Sequence, residues 1–335
     1  MTANDEAPVI PVPGHRMILE ALRLATRAPS VHNIQPWRWV FDGARMHLYT
    51  DADRLLPATD PRGRQLVISC GTVLHHLRTV FADQGWHTDT LRAPDRERPD
   101  HLAVIEFRPW ADPPEGIHSR ALAIDLRRTD RLPMSEPEGF ADILPRLRML
   151  TSPHEVELDA LADSARPRLA AASEQAGALR RDDLLYQSEL QWWAGHPETP
   201  EGVPPSGLVS DAEFARVDVG RAFPSAPHSM RRAQLEDRAA LVLLSTEGDS
   251  VTQWLHTGEA LSAVLLECTA AGLATCALTH ITELPIGRGL LAGLVPRPAA
   301  PQVLIRVGTA PDDAGMIPPT PRRPVTEVFT VTGSR

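Results

Sequence analysis

Apolar residues recur at helical spacing from His15 onward, with Ile18, Leu22 and Ala25 on one face, and Pro29 forbids continuation. This predicts a first helix over residues 15–28. After the loop Ser30 to Gln35, the stretches Trp37 to Phe41 and Arg45 to Tyr49 are short and β-like, and Asp42-Gly43 between them is hairpin chemistry. A long helix is predicted from Arg62 to Gln84, and HLAVIEF (101–107) reads as a buried strand. Beyond it the pattern predicts a helix over 116–127, a proline-broken stretch, and helices between Leu158 and Ala194. A strand over 239–245, a helix over 254–271 and a strand over 302–308 follow. The segment Gly195 to Ala233, rich in Pro, Gly and Ser and without periodicity, is predicted to be a lid-like excursion.

The two long helices superpose with a shift of 187 residues, which lays Gly71 on Gly258, Leu74 on Leu261, Leu77 on Val264 and Gly85 on Gly272. An apolar strand follows each, HLAVIEF and then QVLIRVG. A divergent duplication explains the match, and so does the general frequency of amphipathic helices that end on glycine. On the first explanation the halves are residues 15–114 and 115–335, with the excursion at about 195–233 inside the second.

Composition narrows the function classes. Hydrophobic residues at 42% and charged residues at 23% of 335 are the values of a globular enzyme. A net charge of −9, with no dense Lys/Arg stripe, disfavours nucleic acid. The start, MTANDEAPVIPVPGHR, is acidic and proline-broken where a signal peptide is basic and apolar, and no apolar run approaches the length of a membrane span. A cytoplasmic protein without a membrane partner is expected. Cys70, Cys268 and Cys276 have neither disulfide nor zinc spacing. His75 and His76, adjacent in a helix, are expected to face different ways, so no metal is expected. HExxH, P-loop, GxGxxG and GxSxG motifs are all missing from the sequence.

Two segments carry candidate chemistry. In ATRAPSVHNIQPWRW (25–39), Pro29 stops a helix, Ser30 and Asn33 suit irregular backbone, and Pro36 sets the exit into a strand. Such a loop either presents polar groups to a ligand or simply joins two elements. In DLRRTDRLP (125–133), Arg127, Thr129 and Arg131 form a cluster able to clamp a phosphate, or a solvated helix end.

The pattern APSxxNxQPW resembles the flavin-contacting motif of the FMN-dependent nitroreductases, matched at Pro29, Ser30, Asn33, Gln35, Pro36 and Trp37. Arg127-x-Thr129-x-Arg131 is similar to that family's RxSxR phosphate motif, with Thr for Ser. PRRPVTEV (321–328) resembles its closing RRPLEEV segment, whose basic residue reaches the phosphate, here Arg322 or Arg323, or else forms an exposed basic turn. With SELQWW (188–193) before the proline-rich excursion and LSTEGDS at 244–250, residues 15–328 resemble the Acg-like branch of that superfamily.

The resemblance implies an α+β nitroreductase-like fold: two tandem diverged copies, a pseudo-dimer in one chain, each a mainly antiparallel sheet flanked by helices. It implies one FMN held between the halves under a lid, with Pro29, Ser30, Asn33 and Gln35 at the ring and Arg127, Thr129, Arg131 and Arg322 or Arg323 at the phosphate. Leu278 and Thr279, in GLATCALTHITELP (272–285), are expected beside the ring, and His280 is a candidate proton donor. The implied function is flavin-mediated reduction of a nitroaromatic, quinone or similar small conjugated acceptor, with NAD(P)H as donor. The alternative is an FMN-sequestering or sensing protein with little turnover. Two-fold completion within the chain fits a monomer, and any exposed apolar surface fits a homodimer.

Overall fold

The computed structural model describes residues 11–195, 201–224, 228–311 and 317–332. The first ten residues of the acidic start, and residues 196–200 and 225–227 of the predicted excursion, lie outside them.

The chain opens with helix α1 (His15–Ala25), whose buried Ile18, Ala21, Leu22 and Ala25 are the apolar face that the sequence shows. Strands β1 (Trp37–Phe41) and β2 (Met46–Thr50) form the expected hairpin, with Trp39 opposite Leu48. Helix α2 (Arg64–Asp83) follows, then β3 (Trp86–Arg92) and β4 (His101–Pro109). The second run is α3 (Ile117–Leu126), α4 (Phe140–Thr151) and β5 (Glu157–Ala160). An excursion carries α5 (Arg166–Arg180), α6 (Leu184–Trp193) and the short α7 (Asp211–Phe214). The chain returns through β6 (Ala240–Thr246), α8 (Val251–Ala270), β7 (Ala274–Leu278), α9 (Pro285–Ala292) and β8 (Ala300–Gly308). It closes on α10 (Val325–Val328) and β9 (Phe329–Val331).

The strand orders display the duplication. One sheet runs β3-β4-β2-β1-β9 and the other β7-β8-β6-β5, so each strand of the second has a counterpart at the same place in the first. All pairings are antiparallel except that of β9, which returns from the end of the chain to lie parallel to β1. The hairpin turn between β1 and β2 has become the whole excursion between β5 and β6.

Helices α2 and α8 cross at the centre and are buried on nearly every side, as helices apolar all round must be. They meet at the glycines that the 187-residue shift pairs. A Cβ on Gly71 would lie 2.1 Å from the Leu255 carbonyl oxygen, and one on Gly258 would lie 2.0 Å from that of Ile68. One turn on, the side chains of another equivalent pair, His75 and Ser262, are hydrogen-bonded at 2.7 Å. Equivalent residues touching each other is what a two-fold axis requires, here internal to one chain. Gly71→Ala or Gly258→Ala is therefore expected to force the helix backbones apart and to cost at least the upper end of roughly 1–3 kcal/mol. Unchanged midpoints in urea unfolding would contradict this.

Several expectations need correction. The region from Leu158 does not begin in a helix: residues 157–160 pair with β6 as a strand, and the helices start at Arg166. Helix α4 forms across Pro145 in the stretch read as proline-broken. Strands β3, β7 and β9 were not expected; β3 (WHTDTLR) carries few apolar residues because one side of it is unpaired. His75 and His76 do not face apart, since both ring Nδ1 atoms approach the Ser262 hydroxyl at 2.7 Å. The three cysteines are buried and free, and the described residues contain no group of three metal-ligating side chains.

Candidate functional site

The loop after α1 is held in an unusual backbone path. His32, Asn33 and Gln35 all adopt positive φ (46°, 58° and 51°), a region that side chains other than glycine rarely enter. Surrounding bonds impose it. The Ser30 hydroxyl accepts from the Gln35 N–H at 3.0 Å, the Ser69 hydroxyl of α2 accepts from the Val31 N–H at 3.1 Å, and Thr72 donates to the Pro29 carbonyl at 2.6 Å. Such clustered strain marks a segment shaped for more than connection.

Facing this loop is the segment after α3. The Asp130 N–H donates to Thr275 of β7 at 2.9 Å, and Asp130 pairs with Arg232 of the excursion at 2.7 Å, both side chains buried. Arg131 donates to the Gly207 carbonyl at 2.9 Å, and its guanidinium lies 5.0 Å from the Phe223 ring. The excursion thus fixes the arginine segment.

Between loop and segment lies a pocket walled by Arg27, Arg127, Arg128, Arg131 and Arg322 together with Pro29, Ser30, Asn33 and Thr129. No carboxylate is among its described lining; Arg27 alone leans outward on Asp125, at 3.7 Å. Burial, then the like charges of Arg128 and Arg27, push the Arg127 guanidinium down to about 10. Arg322 is pushed well below the usual range by burial and then by Arg127, Arg27 and Arg128. The Nε atoms of Arg27 and Arg127 are buried with no hydrogen-bond partner among the described residues. An anion supplies the charge and the acceptors that this arrangement lacks.

Pro29, Ser30, Thr129 and Arg131 also border a larger cleft, so the two spaces adjoin. Its floor is α2 and β7, through Ile68, Ser69, Thr72, Cys276, Leu278 and Thr279. Its cover is the described part of the excursion, through Val209, Phe214, Val217, Arg221 and Phe223. A long, mostly apolar slot with a cationic end suits a flat ring carrying a phosphate tail.

The structure brings Pro29, Ser30, Asn33, Arg127, Thr129, Arg131, Leu278, Thr279 and Arg322 to these two spaces. Arg322 does so while donating to the carbonyls of Thr26, Arg27 and Ala28, and so ties the chain's tail to the loop. Three expectations are corrected. Arg323 faces away, toward Asp51, Glu201 and Glu327 at 3.5, 3.8 and 3.2 Å. Gln35 is fully buried behind the loop, where its side-chain oxygen accepts from the Arg323 N–H at 2.8 Å. His280 lines a neighbouring cavity on the far side of the 214–223 strap, 2.7 Å from the Ser173 hydroxyl. Burial pushes it down to about 3, so at neutral pH it holds no imidazolium proton to give.

Sequence reasoning missed His32. Its ring lies in the cleft, edge-on to Phe223 at 5.7 Å, with both nitrogens buried and unpartnered among the described residues. The signal was its position among polar residues between Pro29 and Pro36. Arg221, fully buried, was also missed; it lines the cleft while bonding Tyr186 at 2.8 Å and pairing with Glu283.

His32, His75, His76, His154, His256 and His280 are all held below the usual imidazole range, chiefly by burial. A lowered pKa means the unfolded chain binds more protons, so the stabilisation is present above about pH 6.5 and is lost as pH falls toward the folded value. His154, at about 4, and His280, at about 3, place that loss between pH 6.5 and pH 4 or below. Asp60, raised to about 6, opposes the trend with a single group. The urea midpoint is expected to fall steadily from pH 7.5 to pH 5; a flat or rising midpoint would contradict the assignment.

No protein-family model matches the chain. A Mycobacterium tuberculosis protein provisionally named NAD(P)H nitroreductase acg is 48% identical over 316 residues, 94% of this chain and 96% of its own length. A second M. tuberculosis protein, provisionally named NAD(P)H nitroreductase Rv3131, is 37% identical over 320 residues, 94% of this chain and 92% of its own. Among solved structures, a provisionally named nitroreductase from Anabaena variabilis gives a TM-score of 0.45 at 10% identity, covering 90% of each chain. The FMN-dependent nitroreductase NfnB of Mycobacterium smegmatis, solved with NADPH, gives 0.40 at 17% identity, covering 65% of this chain and 99% of its own.

Proposed function

The chain belongs to the nitroreductase family of oxidoreductases, and from that premise we propose that it binds one FMN in the cleft and reduces a nitroaromatic, quinone or similar conjugated acceptor with electrons from NADH or NADPH. The observation that carries this reading is the pocket of five arginines, with no carboxylate among its described lining, that adjoins the apolar slot. The buried Nε atoms of Arg27 and Arg127 fit an acceptor such as a phosphate oxygen, and the slot fits a flat ring.

In this reading Arg127, Arg131 and Thr129 hold the phosphate by charge-assisted bonds, and Arg322 adds charge while fixing the loop. Pro29 and Ser30 lie along the ring, with Leu278 and Thr279 at its edge. FMN, when bound, supplies the two-electron chemistry. His32, neutral because burial holds its pKa well below the usual range, offers a hydrogen bond to whatever occupies the cleft beside Phe223. The excursion excludes water through Val209, Phe214 and Val217.

That cover also favours a second reading, in which the protein sequesters FMN and turns over little. The purified protein is expected to be yellow and to release FMN, not FAD, on denaturation; a colourless protein that takes up no added FMN would sink both readings. Steady-state oxidation of NADH or NADPH with menadione or a nitrofuran separates them, since absence of turnover by the flavin-loaded protein removes the first.

A further inference from the structure

The internal two-fold generates a second place equivalent to the cleft. Helices α2 and α8 correspond by the 187-residue shift, and so do β3 and β7, because Gly85 and Gly272 precede them alike. The cleft residues Ser69, Thr72 and Thr279 therefore have as counterparts His256, Glu259 and Arg92. The counterpart of the strained loop is the turn before β5, where Glu155 has φ 55° two residues before its strand, just as Gln35 has φ 51° two residues before β1.

In the working cleft these three positions carry short hydroxyl side chains that leave a slot between α2 and β7. At the counterpart they carry larger ones, and two of them, Arg92 and Glu259, are bonded across the same gap. Arg92 of β3 reaches Glu259 of α8 with two hydrogen bonds of 2.6 and 2.8 Å, and Arg78 of α2 adds a third at 2.7 Å. His154, from the turn before β5, stands 3.8 Å from the same carboxylate, and its ring is 6.5 Å from that of His256. Glu259 has no exposed surface. Burial alone would raise its carboxyl, but the bonds from Arg92 and the charge of Arg78 hold it at about 2, so the carboxylate is charged and paired.

We propose that Glu259, Arg92 and His256 fill the site of a second flavin ring, so that a second cofactor is excluded by side chains that occupy its slot, Glu259 and Arg92 being bonded across it. The inference rests on the reading of the first cleft as a flavin site. Its physical content is a statement about volume: restoring the working cleft's residues at the counterpart should open a slot for a ring that needs no phosphate.

The test is E259T/R92T/H256S, probed with lumiflavin, the flavin ring without its phosphate tail. Full-length protein is saturated with FMN and dialysed to equilibrium against lumiflavin, and the flavin-free protein is treated in parallel. The triple variant is expected to take up one lumiflavin per chain more than the wild type in both preparations. A folded variant whose uptake equals that of the wild type would overturn the proposal. If the triple variant does not fold, R92T alone is read in its place, because Glu259 keeps Arg78; it too must exceed the wild type or the proposal fails. The FMN-saturated arm isolates the cofactor reading: wild-type protein that binds no FMN would overturn that reading, while the difference between variant and wild type would still report the second slot.

Discussion

Arg127→Ala combined with Arg131→Ala is expected to weaken FMN binding by roughly two to four orders of magnitude, at about 1.5–3 kcal/mol for each lost charge-assisted bond. Both guanidiniums border the arginine pocket, and neither is paired with a carboxylate among the described residues, so bonds to a phosphate would replace no ion pair seen there. The sum is an upper range, because removing the charge of Arg127 also relieves Arg322, and neighbouring substitutions do not add. Riboflavin provides the control. If these arginines meet the phosphate, the variant should bind riboflavin about as well as the wild type does, and the preference for FMN should vanish. Arg323→Ala, which removes a side chain held by Asp51 and Glu327 away from the pocket, is expected to leave that preference intact. Equal losses for FMN and riboflavin in the double variant would mean that the arginines only support the fold.

One FMN per chain is the second expectation. The arginine segment follows α3 in the second half and the loop of Pro29 to Asn33 follows α1 in the first, so in the proposed reading each half contributes one part of a single site. Flavin released by denaturation, measured by absorbance against protein concentration, gives the ratio directly. A ratio of two would refute the split site, as would FMN retained by substitutions throughout Pro29 to Asn33. The excursion belongs to the same argument: Arg131 is fixed by Gly207 and stacked near Phe223, so a shortened excursion should release FMN faster as well as expose the cleft.

Much of this was legible in the sequence because it rests on local chemistry. Pro29 and Pro36 bracket the loop, and the RRTDR cluster sits where a helix must end, so both segments could be found from residue type and spacing. The glycine match across the long helices was legible too, since only glycine lets two backbones approach as closely as Gly71 and Gly258 do. What escaped depends on partners distant in the chain. The choice between Arg322 and Arg323 is made by Asp51, Glu201 and Glu327 on one side and by three loop carbonyls on the other. His280 looked like a proton donor until the strap at 214–223 was seen to lie between it and the cleft. Strand β3 was illegible because its alternation is mostly polar, and β9 because three residues carry no periodicity.

The tail that supplies Arg322 bears on how the protein comes to be made. Residues 321 and 322 bond to Thr26, Arg27, Ala28 and Asn33, partners nearly three hundred positions earlier, and β9 then seals the edge beside β1. During synthesis the loop, both sheets and the arginine segment all leave the ribosome before this strap does. Contacts of such long sequence separation form slowly, because the intervening chain must first be ordered. If the cleft holds FMN as proposed, its capture waits for the last stretch of polypeptide, and a nascent chain halted before residue 317 would display a folded scaffold whose loop is still untied.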